Sequence, residues 1–96
     1  MELSEIKIKL VKHLSYLRKK YYVQNIGIFG SYVRNEQKNT SDIDILVIFS
    51  NPISLFDFID LEDELSELLQ IKVDLVSKSA LKPFIGKHIL KEVEML

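Results

Sequence analysis

The chain contains no cysteine. Disulfides and thiolate metal sites are thereby excluded, and any metal must be held by oxygen or imidazole. No apolar run approaches the roughly 18 residues that cross a bilayer, and the N-terminal stretch is amphipathic and charged, unlike a cleavable leader. A cytoplasmic protein with no membrane contact is expected. A basic surplus is lacking too. The net charge is −1 over 96 residues, whereas a direct nucleic-acid module needs a concentrated basic surface. There is no linker, repeat or low-complexity tract, and the length suits one core, so residues 1–96 are expected to form a single domain.

What is present is the composition of a globular fold. At 47% hydrophobic and 28% charged residues, the chain is too apolar to be read as disordered. Its charge is uneven. Lys7, Lys9, Lys12, Arg18, Lys19 and Lys20 crowd one segment, while Asp57, Asp60, Glu62, Asp63, Glu64 and Glu67 crowd another. Such runs read as solvated helix faces, the alternative being a charge-complementary protein partner.

Helical and extended patterns alternate. Leu3, Ile6, Leu10, Leu14, Leu17 and Tyr21 recur every three or four residues and predict an amphipathic helix. Asn25 to Phe29 is a short apolar strand, and residues 32–37 allow one or two helical turns before the polar loop at 38–41. Asp42 to Phe49 is rich in Ile and Val, a strand of eight residues. Asn51-Pro52 marks a turn, and Ser54 with Asp57 resembles a capping box with Asp in place of Glu or Gln. Leu55, Phe58, Leu61, Leu65 and Leu68 follow as a second helix, with Phe56 and Phe58 assigned to the core. Lys72 to Val76 is a third strand. Pro83 suits the start of a closing helix with Ile85, Ile89 and Val93 on one face.

The chemistry concentrates between two of these strands. Gly30-Ser31 ends the first strand, and ten residues later Asp42-Ile43-Asp44 opens the second. Side chains alternate along a strand, so Asp42 and Asp44 share a face with Cα atoms roughly 6.5–7 Å apart, while Ile43, Ile45, Val47 and Phe49 face the core. Two ionised carboxylates at ~4 Å repel by about 4 kcal/mol at an effective dielectric near 20. A magnesium ion offsets that cost, because it takes hard oxygen ligands and keeps other positions for water and phosphate. Asp74, opening the third strand, adds the acid that a two-metal site needs beside an attacking hydroxyl.

Gly30 and Ser31 fit an anion. A strand that stops at glycine and turns points backbone N–H groups outward, glycine permits close approach, and the serine hydroxyl is one more donor. The plainer alternative is a strand-end glycine followed by a helix-capping serine. Placement just before Asp-x-Asp favours the anion site. Together these residues suggest nucleotidyl transfer from a metal-bound nucleoside triphosphate.

The segment Phe29-Gly-Ser-Tyr-Val-Arg-Asn-Glu-Gln, followed by Ser41-Asp-Ile-Asp-Ile-Leu-Val47, resembles the minimal nucleotidyltransferases (MNT) of the polymerase-beta-type superfamily. These are small antitoxin-like partners of HEPN ribonuclease toxins, similar to MntA. The resemblance covers nearly the whole chain. It implies an α/β nucleotidyltransferase fold with a three-stranded mixed sheet in order 1-2-3 and helices packed on one side. It also implies Gly30 and Ser31 as nucleotide-binding residues. Asp42 and Asp44 would bind two Mg2+ ions, with Mn2+ as a substitute, and Asp74 would complete the catalytic metal. ATP is the implied donor and a HEPN-domain toxin the implied partner, with room for a homo-oligomer. One departure is Asn35, where relatives often carry glycine.

The helical domain that larger relatives use to hold an acceptor is not expected here. Leu46 and Ile48, on the Asp42 and Asp44 face, then need cover from the closing helix or from another protein. Arg34 reads first as a surface or structural residue, the alternative being that it meets a phosphate or pins an acid, and Lys38 and Lys87 read as solvated, with triphosphate contact as the alternative. His13 and His88 lack metal-ligand spacing. Tyr16, Tyr21, Tyr22 and Tyr32 read as amphipathic cover, with a tyrosine hydroxyl as a self-modification target. The leading expectation is a protein adenylyltransferase that AMPylates and silences its partner. The alternatives are nucleotidyl transfer to a small molecule and a non-catalytic module that occludes a partner.

Overall fold

A computed structural model describes residues 2–38 and 41–96, and the side chains of all of these except Ile85. Asn39 and Thr40, in the expected 38–41 loop, lie outside the described residues, as does the side chain of Ile85 on the expected closing-helix face. The helix α1 spans Leu3–Tyr21, and its repeat of Ile6, Leu10, Leu14, Leu17 and Tyr21 is buried as one stripe. Arg18, Lys19 and Lys20 in its last turn sit where the helix dipole favours cations. The strand β1 is Val23–Phe29, β2 is Ile43–Phe49 and β3 is Val73–Ser77. Between β2 and β3 lies α2, Leu55–Leu69, whose first free amide is capped by Ser54, with the Asp57 N–H donating to Ser54 Oγ at 3.1 Å.

β1 and β2 pair antiparallel, β2 and β3 parallel. α1 and α2 bury their stripes against the sheet face formed by Ile26, Ile28, Ile43, Ile45, Val47 and Val73, which is the main core. The expected 1-2-3 order holds and is extended. A two-residue strand β4, Glu94–Met95, pairs antiparallel with β1, so the sheet reads β3-β2-β1-β4. The closing helix α3, Pro83–Glu92, begins at proline as expected but stops one residue before Val93.

That early stop covers the second face of the sheet. Val93 and Met95 seat over Gly27, where a Cβ would come within 2.6 Å of Val93 Cγ2 and 2.5 Å of Met95 Sδ. Gly27 is the β1 partner of Leu46, and Leu46 is wholly buried while Ile48 is half-buried. The chain thus covers Leu46 itself. Phe56 corrects an expectation. It is 80% exposed, because it lies five residues before Leu61 and so roughly 140° around the helix from the buried stripe. Phe58 does pack, half-buried and edge-on to Phe49 at 6.2 Å. Among the described residues no helix is long and apolar enough to cross a membrane.

Candidate active site

The site forms on the second face, where β1 ends and β2 and β3 begin. Asp44 pairs across β2–β3 with Asp74 and across β1–β2 with Phe29. Asp42 stands one residue ahead of β2, with its side chain about half exposed. The three expected acids therefore occupy neighbouring positions on one sheet edge, and Gly30 follows directly on Phe29. They stand as an open row. Among the described residues, no three His, Cys, Asp or Glu side chains close up into a cage of their own.

Gly30 takes a φ of +81°, a region that favours glycine. A Cβ there would stand 2.9 Å from Asp44 Cγ and collide with Asp44 Oδ2. The glycine is thus needed twice, for its backbone angle and for the carboxylate packed against its Cα. The chain then folds through a short 3-10 turn at Gly30–Tyr32, with the Val33 and Arg34 amides both donating to the Gly30 carbonyl at 3.1 Å. Asn35 follows with φ +58°. A glycine would be relaxed at that angle, and asparagine is among the few other residues that tolerate it.

Burial is the main reason the Asp44 carboxyl is raised above its ordinary value, and the negative charges of Asp74 and Asp42 push it further. The Arg34 guanidinium opposes these effects, while Glu92 adds to them. A desolvated carboxylate flanked by two others is a negative pocket that gains by taking up a hard cation, and the donors present, all carboxylate oxygens, are of the type such a cation selects.

Arg34 pins acids, as one of its expected roles had it. Its Nη1 donates to Glu92 Oε1 at 2.5 Å, and its Nε lies 3.5 Å from Glu36 Oε2. Glu92 is the residue that sequence reading missed. Its second oxygen accepts from the Gly30 N–H at 3.2 Å, so this amide, expected to meet an anion, already holds one from within the chain. Ser31 is half-buried, and its carbonyl accepts from the Glu36 N–H at 2.8 Å. No motif around Glu92 announces it, since its partners lie 58 and 62 residues away. Lys38 and Lys87 are exposed, His88 stands edge-on to Phe84 on the outer side of α3, and His13 bonds to the Lys9 carbonyl of its own helix.

A concavity of about 970 Å3 lies elsewhere. It is an apolar groove at the far ends of β2 and β3, lined by Phe49, Ile53, Leu55, Phe58 and Leu75, and it contains none of the acids.

Residues 10–96 match the nucleotidyltransferase domain family. The protein adenylyltransferase MntA of Thermococcus cleftensis is 50% identical over 93 residues, 97% of this chain and 94% of that protein. Among solved structures, a protein provisionally assigned as a minimal nucleotidyltransferase superposes with a TM-score of 0.85 at 31% identity, covering 100% of this chain and 97% of that one. A toxin–antitoxin crystal structure with AMP-PNP superposes with a TM-score of 0.77 at 27% identity, over 93% of this chain and 70% of that one.

Proposed function

The chain belongs to the nucleotidyltransferase domain family, in its minimal (MNT) form, and from that membership we propose that it is a protein adenylyltransferase antitoxin. The donor is ATP with Mg2+, and the acceptor is a hydroxyl, a tyrosine in the leading reading, on a HEPN-type ribonuclease toxin. The observation that carries this reading is the register of Asp44 with Asp74, next to a Gly30-Ser31 turn whose glycine is packed on the Asp44 carboxylate. The name of the MntA relative and the AMP-PNP in the toxin–antitoxin structure support the donor and the class of acceptor.

In the reaction the acceptor oxygen attacks the α-phosphorus and the bond to the bridging oxygen of the β-phosphate breaks. Pyrophosphate leaves, and the acceptor proton passes to carboxylate or water. Asp42, Asp44 and Asp74 are the residues that would hold the metal. Bound there, a divalent ion neutralises triphosphate charge and lowers the pKa of the attacking hydroxyl. Ser31 would supply an amide and a hydroxyl to the phosphates, and Asp74, which is exposed, would help take the proton of the acceptor hydroxyl.

Mg-ATP should raise the melting temperature, since a ligand that binds only the folded state stabilises it. The pair Asp42→Asn and Asp44→Asn should remove that shift while the fold persists. Incubation with the partner toxin, ATP and magnesium should add one or more adenylyl masses to the toxin. Inhibition of the toxin without any mass change, equally strong with all three acids replaced by Asn, would establish occlusion instead.

A further inference from the structure

The Glu92 carboxylate reaches two parts of the site at once. Oε2 accepts from the backbone of Gly30 at 3.2 Å and Oε1 from the guanidinium of Arg34 at 2.5 Å. Its side chain is 23% exposed against 49% for Arg34, so the acid is the sheltered, better-fixed member of the pair. It is also the last residue of α3, directly before the segment that docks on β1 through Glu94 and Met95. Its position is therefore set by the sheet itself.

Placing a fourth carboxylate near Asp42, Asp44 and Asp74 costs electrostatic energy, and a fold selected for stability alone has no need of it. The contacts indicate what is gained. Gly30 is held by its N–H on one side and by Asp44 against its Cα on the other, which fixes the turn that presents the Ser31 amide and hydroxyl. Arg34, with five donors in a planar fork, gives one to Glu92 at close range and holds Nε 3.5 Å from Glu36 Oε2, which leaves further donors for an anion.

We propose that Glu92 is the positioning residue of the nucleotide site: it holds the Gly30–Ser31 turn and the Arg34 guanidinium in register for the triphosphate, without touching the nucleotide. This rests on the nucleotidyl-transfer reading above. Glu92 acts through Gly30 and Arg34, so its effect must disappear when those contacts are already broken.

The test is a double-mutant cycle on the full chain with its partner, using Glu92→Gln, Arg34→Ala and the pair, read as KM for Mg-ATP and kcat for adenylyl transfer. Glutamine keeps an acceptor for the Gly30 amide but loses the charge that grips Arg34. KM should rise about tenfold, the cost of one charge-assisted hydrogen bond, with kcat changed much less. The pair should be no weaker than Arg34→Ala alone, since contacting residues that act as a unit are not additive. Hydrogen exchange at the Gly30 amide, measured without nucleotide, gives a second readout. Protection should survive Glu92→Gln and fall in Glu92→Ala.

Additive effects in the cycle, or unchanged Gly30 exchange in Glu92→Ala, would overturn the assignment. Tighter Mg-ATP binding in Glu92→Gln would overturn it differently, marking Glu92 as an internal anion that competes with phosphate. If the unaltered chain shows no shift with Mg-ATP, the nucleotide reading fails and takes this proposal with it. If that shift is intact and the cycle is additive, only the role of Glu92 falls.

Discussion

Two partly buried carboxylates, Asp44 and Glu64, show opposite ways of carrying a charge in this small fold. Glu64 on α2 is surrounded by donors. The Tyr16 hydroxyl donates to it at 2.6 Å, the Tyr21 hydroxyl donates to its other oxygen, and Lys20 Nζ lies 3.5 Å away. Burial pushes the Glu64 carboxyl up, but these partners together outweigh it and hold the group below its ordinary value. Tyr21, mainly through burial and next through its bond to Glu64, is pushed up to about 12. Asp44 has acids around it. Burial raises it, Asp74 and Asp42 raise it further, and Arg34 only partly compensates. One carboxylate locks α1 to α2. The other is half-buried among like charges, a condition under which uptake of a cation is favourable.

The largest separation of the two should come from Asp44→Asn. Adenylyl transfer should fall on the order of a thousandfold, because a metal ligand beside the reacting phosphate contributes several kcal/mol to the barrier. Without metal, however, the same substitution should raise the melting temperature. The sign follows from the direction of the shift. The folded-state pKa of Asp44 lies above its unfolded value, so its contribution to stability is complete below the unfolded pKa and is lost as pH rises through the folded one. The gap between Asp44→Asn and the unaltered protein should thus be near zero in acid and open as pH rises toward neutrality. Glu64→Gln should behave in reverse. Its carboxyl is depressed in the folded state, so the stability it provides is present above the unfolded pKa and lost as pH falls through the folded one. Thermal melts across pH in a chelating buffer check both. A lower neutral melting temperature for Asp44→Asn would place Asp44 with Glu64 as a structural acid.

How legible these two regions were differs for physical reasons. That Asp42, Asp44 and Asp74 come together at one end of the sheet could be read because strand alternation is strict and each acid opens an Ile/Val/Leu-rich run. The parallel register that aligns Asp44 with Asp74 then follows from pairing β2 and β3 at their starts. Glu92 could not be found, since its role depends on where α3 ends and on contacts across most of the chain. β4 was hidden for a similar reason. Two residues, one of them charged, carry no alternation, and the strand exists because β1 offers an open edge and Gly27 leaves room for Val93 and Met95. The cluster at Glu64 was masked by its neighbours. In a run of six acids nothing local distinguishes the one that meets Tyr16, Tyr21 and Lys20. Phe56 is apolar yet 80% exposed, because helical phase rather than hydrophobicity decides which residues of α2 meet the sheet.

A smaller effect, confined to the structural side of the comparison, is expected for Tyr21→Phe. The ring stays buried and only the donor to Glu64 is lost, leaving Tyr16 and Lys20 as partners of that carboxylate. Losing one hydrogen bond to a charged, partly buried acceptor costs about 1–2 kcal/mol. In a domain of this size that is roughly 4–8 °C for each kcal/mol. The shift that Mg-ATP adds to the melting temperature should be unchanged. A loss of that shift in Tyr21→Phe would mean that the two charged clusters are coupled through the core between them.

The smallest effect should be at Lys72, and it tests whether Asp42 belongs with Asp44 or with Glu64. Lys72 Nζ stands 4.0 Å from Asp42 Oδ2, the lysine side chain 80% exposed and the aspartate 47%. At that distance and exposure, Coulomb attraction is screened by water and offset by the entropy of holding a long side chain in place, so the pair contributes about 0–0.5 kcal/mol. Lys72→Ala should accordingly move the melting temperature by less than about 3 °C. It should leave the Mg-ATP shift intact, since a metal outcompetes a solvated ammonium for the carboxylate. A larger loss of stability would show that Asp42 is tied down by its lysine as Glu64 is by its phenols. Asp42 would then no longer be an acid held in reserve for a metal, and the row at the sheet edge would be reduced to Asp44 and Asp74.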